Sequence, residues 1–439
     1  MLTRRRFLGY SALTPAVLAY RPLLSIGQTP AKGRIRIAVL GTSYHYESAM
    51  QTIADRFLVG YPHQGEWHMP DVQIVSMYLD ARPHGGEGVH GVVRSVPQDP
   101  GDLSVGRAKE FGFRVCNNIP EALRCGGTKL AVDAVLCVVE QGNYPRNHKD
   151  QILYPRYDFF QQCVQVFEEE RRSIPYFNHE SLSFSFTEAN SMVAASERLK
   201  FPLLAGSSLP VTWRIPDVDI PLGARIEEAV MVGVGTLDGM DFDALEAMQC
   251  MLERRAGGET GVKAVQLLEG DDVWAAGESG RWSKELLSSA LSRSDAIQGL
   301  TVMDGRPQDM VAGGVLPQLV KNPMAYCIEY QDGTRATMLM LNGANQDFVF
   351  SARVAGHGLV ATQFFHSPPP NVTYSASLAA KIEELFSKGT APYPARRTML
   401  VSGLLEACLN SRSRLNQRLE TPHLDVHYKP SIDTQHACA

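Results

Sequence analysis

The stretch AVLGTSYHYESAM, residues 38–50, carries residue types suited to holding a phosphorylated cofactor. Before it, RIRIAVLG is short, rich in β-branched residues and ends at Gly41, which reads as a buried strand running into a tight turn. After it, Met50, Ile53, Ala54, Phe57 and Leu58 recur at helical spacing and make one apolar face. Strand, glycine turn and helix are the setting of the G-x-G-x-x-G dinucleotide fingerprint. Its first glycine makes the turn, its second lets the backbone approach the pyrophosphate, and its third lets helix and strand pack closely. Here the six positions read Gly41, Thr42, Ser43, Tyr44, His45 and Tyr46. Gly41 fits the turn and Ser43 is small enough for the second role. Tyr46 does not fit the third, so the helix is expected to start later or tilt away, with Ser48 and Ala49 making the close contact and its amides still facing the phosphates. Tyr44 and His45 either touch cofactor or substrate or are surface side chains.

A second apolar run, VQIVSMYLDA, puts Asp80 near a strand end, where an acid can bond the ribose hydroxyls. The insertion VGYPHQGEWHMP explains why Asp80 lies farther from Gly41 than the usual interval of about 20 residues. Arg82 nearby would tolerate a 2′-phosphate, so NAD and NADP both stay open, as does a plain solvated acid at Asp80. A fully apolar run, VDAVLCVVE, ends at Glu140, a further candidate cofactor contact. The following GNYPRNHKD sets Tyr144, Arg146 and His148 at that strand's carboxyl end, the edge where open α/β sheets bind ligands. Trp213 and Arg214, in SSLPVTWR, pair an aromatic plane with a guanidinium, a combination suited to a sugar; packing explains them equally well.

The elements that must position these residues follow from periodicity. Through residues 33–208, apolar strand-like runs alternate with helical ones, and the helix FTEANSMVAASERLK has Thr187 as its expected cap. That order predicts a parallel sheet covered on both faces, a doubly wound Rossmann domain. Residues 209–420 change character: EEAVMVGVG, VKAVQLLEG, AYCIEYQDGTRATMLML and DFVFSARV read as a large, mostly antiparallel sheet. Asp332-Gly333 marks a hairpin in it, and two closing helices follow. ERRAGGETG follows a helix and does not open one, so it reads as a turn and not as a phosphate cradle. Residues 421–439 show no periodicity and are expected to extend over the surface.

With 439 residues, 44% of them hydrophobic and 20% charged, a mean hydropathy of −0.14 and a formal charge of −5, the chain has ample core material. No basic run points to nucleic acid. Residues 1–32 read as targeting and linker: TRRRFLGYSALTPAVLAY places Arg4 and Arg5 before a short apolar stretch, resembling a twin-arginine export signal and predicting a periplasmic or secreted protein. That stretch is too short to span a bilayer stably. The eight cysteines are scattered without C-x-x-C, so they set out no disulfide framework and no zinc site is expected.

In element order, in VDAVLCVVE, in the helix after NHESLSFS and in the closing IEELFSKGTAPYPARRTMLVSGLLEACLNS, the chain resembles the Gfo/Idh/MocA oxidoreductases over nearly everything after residue 33. The resemblance implies a Rossmann domain joined to a large open sheet, NAD or NADP, and a small sugar or polyol as substrate. By analogy it also implies a homo-oligomer. The family's E-K-P motif aligns with NHESL, setting His179 at the glutamate, Glu180 at the lysine and Ser181 at the proline. Its H-x-x-D helix aligns with DFDALEAM, setting Asp243 at the acid/base histidine and Glu246 at the aspartate. His179 is then a substrate contact, and Glu180, Asp243 and Glu246 are the catalytic candidates.

A Lys/His pair becoming a Glu/Asp pair changes the chemistry. A carboxylate raised in pKa by burial can take the proton of a carbinol, but the cation that would polarise a carbonyl is lost. Three classes stay open: a redox enzyme, a carboxyl-based lyase or hydrolase on the same scaffold, and a binding protein without turnover.

Overall fold

A computed structural model describes residues 33–80, 101–296, 306, 308–368 and 371–438. The twin-arginine segment and Arg82 lie outside the described residues.

The first half runs β1 (Ile35–Gly41), α1 (Ala49–Val59), the hairpin β2 (Tyr61–His63) and β3 (Glu66–His68), β4 (Val72–Leu79), α2 (Ser104–Phe111), β5 (Arg114–Cys116) and α3 (Ile119–Leu123). It continues with β6 (Ala134–Val138), α4 (Arg156–Glu170), β7 (Tyr176–His179), α5 (Phe186–Leu199) and β8 (Leu203–Gly206). The six strands pair in parallel in the order β5-β4-β1-β6-β7-β8. The chain leaves β1 toward one edge and returns through β6 toward the other. The switch point is therefore the crevice at the carboxyl ends of β1 and β6, which is the ligand-binding position of such sheets.

The continuous apolar runs become strands buried on both faces. Ala38 and Leu40 of β1 join one core with Val135 and Cys137 of β6, while Ile37 and Val39 join the opposite core with Ala134, Leu136 and Val138. Each buried Val, Leu or Ile among them stabilises the fold by about 1.5–3 kcal/mol. Met50, Ile53, Ala54 and Phe57 of α1 cover that second face.

The second half adds β9 (Arg214–Ile215), β10 (Ile226–Gly233), α6 (Met240–Leu252), β11 (Glu259–Thr260), β12 (Val262–Glu269), α7 (Asp271–Glu278), α8 (Lys284–Leu291) and α9 (Leu316–Leu319). Then come β13 (Met324–Tyr330), β14 (Arg335–Met340), β15 (Phe348–Val354), β16 (Gly358–Phe364), α10 (Val372–Lys388), α11 (Ala395–Ser413), β17 (Leu419–Glu420) and β18 (His427–Tyr428). Its eight-stranded sheet, β17-β12-β13-β14-β10-β15-β16-β9, is antiparallel except for β10 beside β14. The Asp332-Gly333 hairpin forms as expected, with Gly333 at φ 87°. α10 crosses back to the first sheet, where Leu378, Ala379, Ile382 and Leu385 pack with α1.

Two expectations change. Thr187 does not cap α5: the helix starts two residues earlier, with Ser185 at its cap, and Glu406 of α11 accepts the Phe186 amide at 2.8 Å. A distant carboxylate has replaced the local hydroxyl. The final residues are not simply laid over the surface. Leu424, Val426 and Tyr428 alternate inward, β18 pairs with β11, and the Tyr428 hydroxyl donates to Glu253 at 2.9 Å.

Candidate functional site

β6, β7 and β8 end side by side, and each delivers part of one polar cluster. Glu140 lies just beyond β6, and its carbonyl accepts the Thr42 hydroxyl at 2.6 Å. His179 ends β7. The Asn178 side-chain amide donates to the carbonyls of His179 and Ser181, both at 3.0 Å, closing a tight turn around Glu180. Glu180 stands at φ 63°, a left-handed conformation uncommon for a residue with a side chain, and its amide donates to Gly206 at 3.1 Å. Such strain persists only where the surroundings impose it, and it concentrates at functional sites. The turn sets the Glu180 carboxyl 3.3 Å from His179 Nε2, while His179 Nδ1 lies 3.0 Å from Glu140. Glu140, His179 and Glu180 thus form one line, with the imidazole between two carboxyls.

α6 brings the next member. Asp241 caps the helix start, accepting from the amides of Gly239 and Phe242, both at 2.9 Å, and from the Tyr326 hydroxyl at 2.8 Å. This fixes the first turn, in which Asp243 is buried with its Oδ1 unpartnered among the described residues. Burial raises the Glu180 carboxyl well above the ordinary carboxylate range, and Asp243, then Glu140, raise it further; Arg156 works against them. Burial and then Glu140 raise Asp243 in the same direction. Both shifts favour the neutral carboxyl over the carboxylate, so the cluster holds its protons to higher pH than a solvated acid would.

Tyr374 of α10 completes the cluster, and sequence reasoning missed it. Its phenol is kept neutral by its surroundings, first by desolvation and then by Asp243 and Glu180. The signal that could have found it is weak, a lone tyrosine in the first turn of an amphipathic helix.

Glu246, a catalytic candidate from sequence, is a strut. It is fully buried and accepts from the Ser207 amide at 2.7 Å and the Thr398 hydroxyl at 2.6 Å. A Cβ at Gly206 would lie 2.4 Å from its carboxyl oxygen, so the β8 end is glycine to admit it.

Asp238 precedes α6 and is raised to about 6, by burial and then by Asp241. As pH rises from the ordinary 3.8 toward about 6, the unfolded chain gives up this proton first, so folding loses stability across that window and does not regain it above. At about 1.4 kcal/mol per tenfold the loss is about 3 kcal/mol. Asp238→Asn keeps an acceptor for the Ile152 amide and suits the φ of 55°. In urea unfolding the variant should match the parent near pH 4 and exceed it by about 2–3 kcal/mol near pH 7.

The β1–β6 crevice fits a dinucleotide with one requirement. Gly41 is the last paired residue of β1, where a Cβ would crowd Met50 and the Val138 carbonyl, and Asp80 follows β4 with its carboxylate accepting the Tyr144 hydroxyl at 2.6 Å. Helix α1 does start late, as Tyr46 implies, with Ser48 as its cap. The amides at its start are held by side-chain oxygens: Glu47 by Gln51 at 2.6 Å, Ala49 by Gln141 at 3.3 Å and Gln51 by Ser48 at 3.1 Å. These oxygens stand where phosphate oxygens would bind, so a pyrophosphate must displace them. Ser43 and His45 are half-buried on the loop before the helix, and the His45 amide lies 3.2 Å from Ser48 Oγ.

Other candidates lie elsewhere. Tyr44 is buried beneath α1 and donates to Asp55, which also holds Arg107 at 3.1 Å, so it anchors the loop and does not reach a ligand. Tyr144 serves Asp80 at the crevice and is not a group on the Glu180 cluster. His148 is exposed. Arg214 is buried and spends its charge on Asp219 at 2.8 Å, and Trp213, half-buried, lends its carbonyl to the Phe365 amide.

No family model and no curated protein matches this chain. Solved structures do. GenD2 from gentamicin A biosynthesis, in complex with NAD, is 12% identical with a TM-score of 0.53, covering 88% of this chain and 96% of its own. A myo-inositol dehydrogenase from Lactobacillus casei, in complex with NAD(H) and myo-inositol, is 10% identical with a TM-score of 0.50, again covering 88% and 96%. No described helix is long and apolar enough to cross a membrane. The two-sheet architecture, with its parallel Rossmann half and its open antiparallel half, is the fold of the Gfo/Idh/MocA-type dehydrogenases.

Proposed function

We propose that this chain is an NAD(P)-linked oxidoreductase of a sugar or related polyol, in which carboxyl groups carry the proton chemistry. The observation that carries the reading is the convergence of Glu180 and Asp243, both buried, at the strand ends beside the β1–β6 crevice. When bound in that crevice, a nicotinamide would accept or return the hydride. The chain's own residues do the rest. The ionised member of the Glu180–Asp243 pair takes the hydroxyl proton of a carbinol as its C–H bond breaks and the carbonyl forms. The protonated member donates a hydrogen bond to the same oxygen, a role that a lysine would fill with a charge. His179, between Glu180 and Glu140, carries the proton away from the pair. The Arg4–Arg5 pair supports export of the folded protein by the twin-arginine route.

Fluorescence titration with NADH and with NADPH, followed by a screen of polyols for reduced nicotinamide, tests the reading. Binding should be weak in the parent and several-fold tighter in Gln141→Ala, which frees the Ala49 amide. No binding of either nucleotide in either protein would sink it. A second reading, carboxyl-based elimination or hydrolysis of a glycoside, is favoured by the side-chain oxygens already seated on those amides. It predicts glycoside cleavage with no change in nicotinamide absorbance.

A further inference from the structure

The cysteines that suggest no zinc motif in sequence hide one juxtaposition that folding creates. The C-terminal tail turns back onto the link between β8 and β10: the Ala437 amide donates to Val211 at 2.9 Å, and Lys381 of α10 holds Gln435 at 2.9 Å. That anchoring buries the His436 imidazole, to 2% exposure, and aims its Nε2 at two more metal-ligating groups. Asp217 Oδ1 lies 2.6 Å from Nε2 and Cys438 Sγ lies 3.6 Å from it. One ligand atom from each residue lies within 4.8 Å of the others.

We propose that Asp217, His436 and Cys438 form a three-ligand site for a divalent cation of the zinc class, clamping the tail to the body of the protein. A tetrahedral zinc with bonds of about 2.0–2.3 Å sets its ligand atoms about 3.3–3.6 Å apart. The Cys438–His436 spacing already matches, and the exposed Asp217 carboxylate need withdraw by less than 1 Å. One imidazole, one carboxylate and one thiolate make a donor set that suits zinc and disfavours magnesium or calcium. The second ring nitrogen, Nδ1, is bonded to the Thr434 hydroxyl, the kind of outer partner that orients a ligating histidine. Nearby positive charge is already matched: Arg214 and Arg254 both pair with Asp219, at 2.8 and 3.1 Å, leaving Asp217 and the thiolate for the cation. On binding, the Cys438 thiol loses its proton to solvent as the metal–sulfur bond forms, and water takes the fourth position.

The test uses the full chain, reduced and stripped of metal with a chelator, with Zn²⁺ as titrant in calorimetry and Co²⁺ as spectroscopic probe. The expected result is one equivalent of zinc, a melting temperature that rises with zinc concentration, and a cobalt spectrum with a thiolate charge-transfer band. Cys438→Ser and His436→Ala should each weaken binding by at least about tenfold, and Thr434→Val by about 10- to 100-fold. Cys438 is at the exposed end of the tail, so Cys438→Ser should fold like the parent. Absence of binding, binding unchanged in Cys438→Ser, or binding lost in His179→Ala but kept in the tail variants would overturn the proposal; the last would assign the ion to the Glu140–His179–Glu180 line.

Discussion

Glu180→Gln and Asp243→Asn should each lower turnover by about 10²–10⁴-fold, the range a positioned acid or base contributes. Both substitutions keep size and shape but replace one carboxyl oxygen by an NH2 that does not ionise, so the titrating proton is lost. The same variants should be more stable than the parent above neutral pH. Both carboxyls are raised first by burial, Glu180 then by Asp243 and Asp243 then by Glu140, so the folded protein holds protons that the unfolded chain has released. Stability therefore falls as pH rises above the ordinary carboxylate range, and an amide removes that fall. The pairing of lost activity with gained alkaline stability separates a catalytic role from a structural one. Glu246 is raised by burial as well, yet Glu246→Gln would turn an NH2 toward the Ser207 amide or the Thr398 hydroxyl, so that variant should lose stability while leaving the Glu180–Asp243 pair in place. If Glu180→Gln leaves turnover unchanged, proton transfer runs through other groups.

Gly41→Ala should be the most damaging single change in the nucleotide crevice. Its Cβ would meet Met50 Cε at 2.0 Å and the Val138 carbonyl oxygen at 2.7 Å. The first contact is with the end of a flexible side chain and can yield. The second is with the backbone of β6, buried throughout, and cannot yield without spreading β1 from β6. Overpacking of this kind costs about 1–3 kcal/mol, sometimes more. In chemical denaturation the variant should lose that amount, and nucleotide binding should disappear with it. Combining it with Met50→Ala tests the split, since only the side-chain part of the cost should return. Near-parental stability and binding in Gly41→Ala would show that the turn moves freely, against the packing described.

How far the site was legible depends on how far apart its parts lie in the chain. Fragments were readable: Gly41 as the end of the first strand, Asp80 at a strand end, Glu180 just after β7, Asp243 in the first turn of α6. Each depends on periodicity within a dozen residues, which burial of apolar faces imposes locally. The late start of α1 was also readable, because a tyrosine at position 46 cannot serve the close packing that a third glycine allows. The alternation of Leu424, Val426 and Tyr428 was present in the tail but too short to separate from irregular sequence.

What the sequence by itself determined is therefore the set of elements, their order and the face each one buries. Apolar spacing acts on neighbours in the chain, and water enforces it without reference to the rest of the fold. Only the tertiary structure decided the chemistry. Whether Glu180 is a solvated acid or a proton-sharing one depends on Asp243, Glu140 and Tyr374, brought together by crossovers from β6, α6 and α10. Whether the α1 amides are open or already satisfied depends on Gln141, from the other side of the switch point. Burial and field at a charged group are sums over all its neighbours in space, and no local pattern in the chain records them.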